Sequence, residues 1–478
     1  MLESLNIHQE EGEGDLSCLG SYYRREIDCI FPDFYLNYRF PNSQHAIWSP
    51  LQSLLSRLSK LRDMTWSCVE LFPPCLLDTL HRFIPHCRLH ITIFILPSLR
   101  YKNDVPSHVD EYEYKLATSP SLSSILVPLP KVDSEWAVCL NAKAAIHLAT
   151  GLAPNLSRVH IVEDPSELRL NPAEPGCPEW KGFPQNLNDE HRLHGGSLRY
   201  LSLSSVRLGY FKAWENQNAF FGLRVLQLWD VSECVLIAAT SCQFHLLRSL
   251  ALSFPGWESY DRAASDFVSS LHLLETIRMS SCQKEHTFQA TLRHHGKSLT
   301  ELSLLPRASD SGEEVPSFTN RIIQIRLHCP NIRSLQFSVY RRRLKEEDSL
   351  FRAIGEIPHL RDISLRLICN DDMQEQESFL NSLDYSTSAP ELSRAMLQNS
   401  PLHSSLPAQA IFFTVAQESF LQRLTLDIRC TLCPKRVAGF LNWTCCRWRC
   451  ERVSGNRIIV RELEKDDDCK DEQPTIHL

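Results

Sequence analysis

Few residues of this chain have types and spacing that suggest a chemical site. Cys430 and Cys433 form a C-x-x-C pair, with Cys445, Cys446 and Cys450 downstream. Tetrahedral zinc sites often begin with two thiolates at such spacing. The second group is not a clean C-x-x-C, however, and Cys450 falls in an alternating apolar run, so core or half-buried thiols are the better account. His194-Gly195-Gly196-Ser197 has the residue types of an esterase oxyanion turn. No G-x-S-x-G elbow supplies a nucleophile, and Ser197 leads straight into a leucine-rich run. His294-His295 and the pair His81 and His86 have no carboxylate at ligand spacing. Neither a phosphate-binding Walker loop nor a dinucleotide fingerprint occurs. The sequence therefore predicts no catalytic constellation, no cofactor and no metal ligand. An enzyme or zinc site in the Cys-rich C-terminal segment is the weaker alternative, because catalysis needs titratable groups clustered in one pocket.

The chain is organised around a short phrase written three times between Ser197 and Phe254: SLRYLSLSS, GLRVLQLWD and LLRSLALSF. Its apolar residues are Leu198, Leu201 and Leu203, then Leu223, Leu226 and Leu228, then Leu247, Leu250 and Leu252. This L-x-x-L-x-L spacing is that of a leucine-rich repeat. The last two leucines alternate with polar residues at the strand period of two, so they share one face. One such strand cannot bury its leucines alone, so repeats must stack. The predicted fold is α/β: a right-handed leucine-rich-repeat solenoid with a curved parallel sheet, helices on the convex side and irregular repeats.

Further phrases begin at Leu61, Leu89, Leu122, Leu156, Leu274, Leu299, Ile332, Leu360 and Leu421. From Leu198 to Leu299 the starts lie about 24 to 27 residues apart, inside the expected range. Helical patterning occupies Trp48 to Leu61, with Ser49 and Pro50 at its start, then the run after Pro73-Pro74, then 264–273 and 321–328. Residues 1–42 are expected to be disordered or irregular. The solenoid is expected over 43–463, with insertions near 163–195, 306–317 and 370–409. A C-terminal cap over about 430–463 should comprise a helix around Val437–Trp443 and a hairpin pairing Trp448–Val453 with Arg457–Arg461. An acidic tail, 464–478, follows. The residue after the last leucine where such repeats usually place Asn or Cys is Val206 or Val231 in two repeats, so no regular buried amide ladder is expected.

With 478 residues, 43% of them hydrophobic and 22% charged, the chain has the composition of a folded protein. A net charge of −7 gives no general electrostatic footprint for nucleic acid. The dense basic run Arg341-Arg342-Arg343 is balanced by Glu346, Glu347 and Asp348. The acidic N-terminus has no apolar signal region, and no run is long enough to span a membrane. A soluble cytoplasmic or nuclear protein is expected, its eighteen cysteines mostly buried reduced thiols.

If the leucines point inward, the residues between them face the open side of the sheet, the surface solenoids use for partners. The predicted partner-binding residues are Arg158, His160, Tyr200, Gln227, Trp229, Arg278, Arg366 and Arg423. Ser202, Val225, Gln336, Asp362 and Asp427 share that face. Trp229 and Tyr200 lead, because aromatic and Arg side chains concentrate interface energy.

The runs SRLSKLRDMTWSC, LHRFIPHCRLHI, LATSPSLSSI, GLAPNLSRVHI and WRCERVSGNRIIVREL resemble the sequences of filamentous-fungal F-box proteins with leucine-rich repeats. The resemblance covers nearly the whole chain after Trp48. It implies a substrate receptor: an F-box docks on a Skp-type adaptor and cullin while the repeats present a protein for ubiquitin transfer. No segment before Trp48 reads as an F-box, so adaptor and cullin are expected only if that module lies upstream. A repeat adaptor with no ubiquitin link is the alternative.

Overall fold

The computed structural model describes residues 4–8, 45–68, 70–99, 109–129, 139–163, 180, 182–183, 197–255, 257–280, 285–305, 318–341, 344–369, 406–416, 420–430, 443–453 and 457–463. The chain divides into two compact units, Met1–Leu247 and Arg248–Leu478. Each is an α/β solenoid.

The first unit holds strands β1 (Ser4–His8), β2 (Asp63–Ser67), β3 (Arg88–Ile91), β4 (Leu122–Leu129), β5 (Arg158–Glu163), β6 (Tyr200–Ser204) and β7 (Val225–Trp229). Between them run helices α1 (His45–Leu55), α2 (Pro74–Phe83), α3 (Glu111–Ala117), α4 (Leu140–His147) and α5 (Leu208–Asn216), and α6 (Glu233–Thr240) follows β7. Each strand pairs in parallel with the next. The register sets Ile91, Ile125, Val159, Leu201 and Leu226 in one row. None of the five is more than 3% exposed. That row is the neighbour-supplied core that an isolated strand lacks.

The second unit holds β8 (Ser249–Ser253), β9 (Thr276–Ser280), β10 (Glu301–Leu305), β11 (Ser334–Arg341), β12 (Asp362–Cys369), β13 (Arg423–Cys430), β14 (Trp443–Val453) and β15 (Arg457–Glu462). Its helices are α7 (Glu258–Ser270), α8 (Glu285–His295), α9 (Phe318–His328), α10 (Leu344–Gly355) and α11 (Leu406–Ala416). β8 to β13 are parallel, and Leu250, Ile277, Leu302, Leu335, Ile363 and Leu424 stack as their core row. β14 then pairs antiparallel with β13, and β15 with β14. Val453 faces Arg457 across the turn, so the predicted closing hairpin is present. A hairpin needs no crossover helix, so it can end the array without opening another repeat.

Polar side chains tie neighbouring repeats together where the helices meet. Asp261 of α7 is only 2% exposed. Its Oδ1 accepts from the Thr287 backbone N–H (3.0 Å) and hydroxyl (2.6 Å), and its Oδ2 from the His286 N–H (3.1 Å). It thus caps α8 from the preceding helix and satisfies donors that α8 cannot pair internally. His295 closes the other end of α8. Its Nδ1 accepts from the Leu274 N–H (3.2 Å), so Nε2 carries the proton donated to the Val268 carbonyl (2.9 Å). Burial lowers the pKa of this imidazole.

Several expectations shift. Residues 1–42 are not without order: Ser4–His8 is a strand, with Leu5 beside Met64 and Ile7 beside Trp66. The helix expected from Trp48 to Leu61 begins at His45, contains Pro50 and ends at Leu55. Past it the chain tightens into i→i+3 bonds at Arg57 and Leu58 on the way into β2. The expected insertions at 163–195, 306–317 and 370–409 fall largely outside the described residues, as does the tail 464–478. Within the first, Trp180 and Phe183 are buried against His147, and α11 begins at Leu406, inside the third. Of the helix expected at Val437–Trp443, only Trp443 is described, and it starts β14. Val206 and Val231 are buried, apolar contacts standing where an amide ladder would run.

Truncating Leu226 or Leu250 to Ala should each cost about 2–5 kcal/mol of unfolding free energy. A denaturant melt in which both are neutral would sink the register above. Asp261→Ala should cost about 1.5–3 kcal/mol in the same assay, since two N-terminal donors of α8 lose a charged acceptor. Asp261→Asn, which keeps one acceptor, should lose less.

Candidate interaction surface

Alternation along each strand sends the polar positions to the sheet face opposite the leucines. In the first unit the register assembles them into rows. Ser124, Arg158, Tyr200 and Val225 form one; Leu126, His160, Ser202 and Gln227 form the next; Ser204 and Trp229 lie beyond. Five of the eight predicted residues, Arg158, His160, Tyr200, Gln227 and Trp229, thus come together. Arg158 is exposed, while Tyr200, Gln227 and Trp229 are half-buried. The Trp229 Nε1–H donates to Gln227 Oε1 (3.3 Å), which holds the indole along the sheet.

His160 behaves differently. It is 4% exposed, with its ring 4.8 Å from that of Tyr200. Burial, reinforced by the Arg158 charge, drives its pKa from 6.5 to about 3. It is a neutral support under Tyr200 rather than a contact residue.

The other three predicted residues lie in the second unit. Arg278 is exposed on β9, between Ala251 and Ser303. Arg366 and Asp427, both largely buried, pair at 3.2 Å across β12 and β13. Arg423 lies 3.3 Å from Glu451 and 4.0 Å from Asp362. Arg366 and Arg423 alternate with carboxylates, so much of their charge is spent within the sheet.

One constellation escaped sequence reading because its members come from three repeats. His90 Nε2 lies 3.0 Å from Asp63 Oδ1, and His90 Nδ1 lies 2.8 Å from Ser124 Oγ. Arg88 also donates to Asp63, from Nε (2.7 Å) and from a terminal nitrogen (2.9 Å). Burial pushes the Asp63 carboxyl upward, but hydrogen bonds from His90 and Arg88 outweigh it and hold the pKa at about 2. Ionised Asp63 can only accept, so Nε2 bears a proton, and in the neutral imidazole Nδ1 then accepts from Ser124. The residue types are those of a nucleophilic relay, with the ring nitrogens exchanged relative to the serine-protease arrangement. Ser124 is only 3% exposed and sits in a strand paired on both sides. As placed, the relay joins three strands.

Of the Cys-rich candidates, Cys430 ends β13 and Cys445, Cys446 and Cys450 lie on β14. Cys450 is buried opposite Leu424, burial raising its thiol to about 11, while Cys430 pairs in register with Trp443. Cys433 lies outside the described residues, as do His194, Gly195 and Gly196. Among the described residues no group of three or more His, Cys, Asp and Glu is placed to hold a metal, and no helix is long and apolar enough to cross a membrane. Compared with models of known protein families the chain matches none, and compared with curated proteins it also matches none.

The His160 shift fixes a sign. Its folded pKa lies below the ordinary value, so its contribution to stability is complete above about 6.5 and is lost as pH falls toward about 3. His160→Gln should flatten the pH dependence of unfolding free energy in that window, by up to about 1.4 kcal/mol per pH unit. Superimposable pH profiles for the two proteins would contradict the burial assigned to this imidazole.

Proposed function

We propose that the chain is a non-enzymatic protein-interaction scaffold whose open sheet face selects a protein partner. The observation that carries this reading is the grouping of Arg158, Tyr200, Gln227 and Trp229 on one face of the first unit. Flat rows of aromatic, amide and guanidinium groups suit shape and hot-spot complementarity rather than bond chemistry. The resemblance to F-box proteins with leucine-rich repeats supports a finer reading: the substrate-recognition part of a cullin-type ubiquitin ligase, acting in the cytoplasm or nucleus. A repeat adaptor with no link to ubiquitin uses the same face and differs only in the fate of the target.

The Asp63–His90–Ser124 chain of hydrogen bonds favours a second reading, a serine hydrolase. The burial of Ser124 weighs against it, since a nucleophile must reach its substrate.

Affinity capture with the whole chain, followed by mass spectrometry, tests the leading reading. Protein partners should be recovered, and the double variant Tyr200→Ala, Trp229→Ala should lose them. Co-recovery of a Skp-type adaptor and cullin supports the ligase role; partners without ligase subunits support the free-standing adaptor. Capture unchanged in the double variant removes the open-face assignment. A fluorophosphonate probe should leave the protein unlabelled, whereas labelling abolished by Ser124→Ala would put the hydrolase reading first.

A further inference from the structure

A groove of about 440 Å³ runs along the edge of the second unit, lined by Asn331, Arg333, His359, Arg361, Phe420 and Gln422. These six occupy two repeat-equivalent columns. Arg333, Arg361 and Gln422 each stand immediately before a strand, and Asn331, His359 and Phe420 two residues earlier. Between the columns lie the buried core residues Ile332, Leu360 and Leu421. Main-chain bonds fix the first column: the Arg333 N–H donates to Thr300, Arg361 to Arg333 and Gln422 to Arg361, each at 2.8 Å. On the other column, the Asn331 amide is tied to the Lys297 carbonyl (2.8 Å). The backbone under the groove is therefore set before any ligand arrives, which lowers the cost of binding.

The lining is lopsided in charge and polarity. It carries two guanidiniums and an imidazole, and among the described residues no carboxylate lines it. Earlier in the same column Arg248 is followed by Glu275, and the two pair at 3.2 Å. In the groove Arg333 is followed instead by another arginine. Asp362, next in sequence to Arg361, feels the charge of Arg361 but sits on the open face, 4.0 Å from Arg423, the stronger of the two influences. Beside the arginines stands Phe420, 73% exposed, more than any other large apolar side chain described. Guanidinium forks suit carboxylates, and an exposed ring offers an apolar platform beside them.

We propose that this groove docks an acidic peptide segment of a partner protein, with carboxylates on Arg333 and Arg361 and an apolar side chain against Phe420. The inference rests on the scaffold reading and adds to it a second contact surface and the chemistry of its ligand. A peptide is favoured over a nucleic acid because the strand row beside the groove, Glu301, Ser334, Asp362, Arg423 and Glu451, holds three carboxylates against one guanidinium. Its carboxylates would repel a phosphate backbone leaving the groove, whereas a peptide can end its acidic stretch there.

The test is fluorescence anisotropy of the whole chain with a short labelled peptide of aspartate and glutamate around one phenylalanine. Binding is expected, weakening as salt is raised. Arg333→Glu and Arg361→Glu should each weaken it at least about tenfold, and Phe420→Ala several-fold, all with unchanged melting temperature because these side chains are exposed. No binding, binding indifferent to both charge reversals, or tighter binding of single-stranded RNA of equal length would each overturn the groove assignment. The scaffold reading fails separately. Partners lost in the open-face double variant but retained in Arg361→Glu would overturn the groove and leave that reading standing. Peptide binding without any captured protein would count against the scaffold itself.

Discussion

Everything in this molecule depends on apolar strand positions that only a neighbouring strand can bury. A single L-x-x-L-x-L strand presents its leucines to water, and its main-chain donors and acceptors remain open on both sides. Pairing in register resolves both at once, as the row through Ile91, Ile125, Val159, Leu201 and Leu226 shows. Stability is thereby a sum over interfaces between repeats. Loss of one leucine is felt first by the repeats on either side. The antiparallel hairpin β14–β15 serves the same constraint, covering the exposed side of β13.

Because the period is two, burying the leucines dictates a second face. Residues there stand beside their counterparts in adjacent repeats at the spacing of paired strands. Small polar side chains become buried floor, as at Ser202 and Ser204. Larger ones pair, as Arg366 does with Asp427, or lean along the sheet, as Trp229 does on Gln227. The Asp63–His90–Ser124 chain of bonds shows how readily this lattice assembles groups with catalytic chemistry. Accessibility, rather than composition, separates a reactive relay from a structural one.

The helical side uses polar groups differently. Asp261 and His295 each bond main-chain groups at the helix ends of a neighbouring repeat. Asn141 does the same for the Leu96 N–H (2.8 Å) in the first unit. With no regular amide ladder, such irregular clamps set the relative placement of successive helices. Each is a buried polar group whose cost is offset only while its partners stay in place.

By itself the sequence determined the strands and which of their residues face inward, because the leucine spacing leaves a strand only one way to bury them. It also determined the closing hairpin, through two alternating runs flanking Ser454-Gly455-Asn456. One legible signal was missed: Leu2, Leu5 and Ile7 carry the same spacing, obscured by the acidic, glycine-containing run after them, and β1 lies there. What only the tertiary structure decided is which polar residues meet. Asp63, His90 and Ser124 are 27 and 34 residues apart, and the groove draws its lining from three repeats separated by stretches of unequal length. The exposure of Arg158 and the burial of His160, two residues apart on one face, likewise depend on what the neighbouring strands carry. Periodicity specifies a face within one strand; the register between strands, set by packing across the whole repeat, specifies a site.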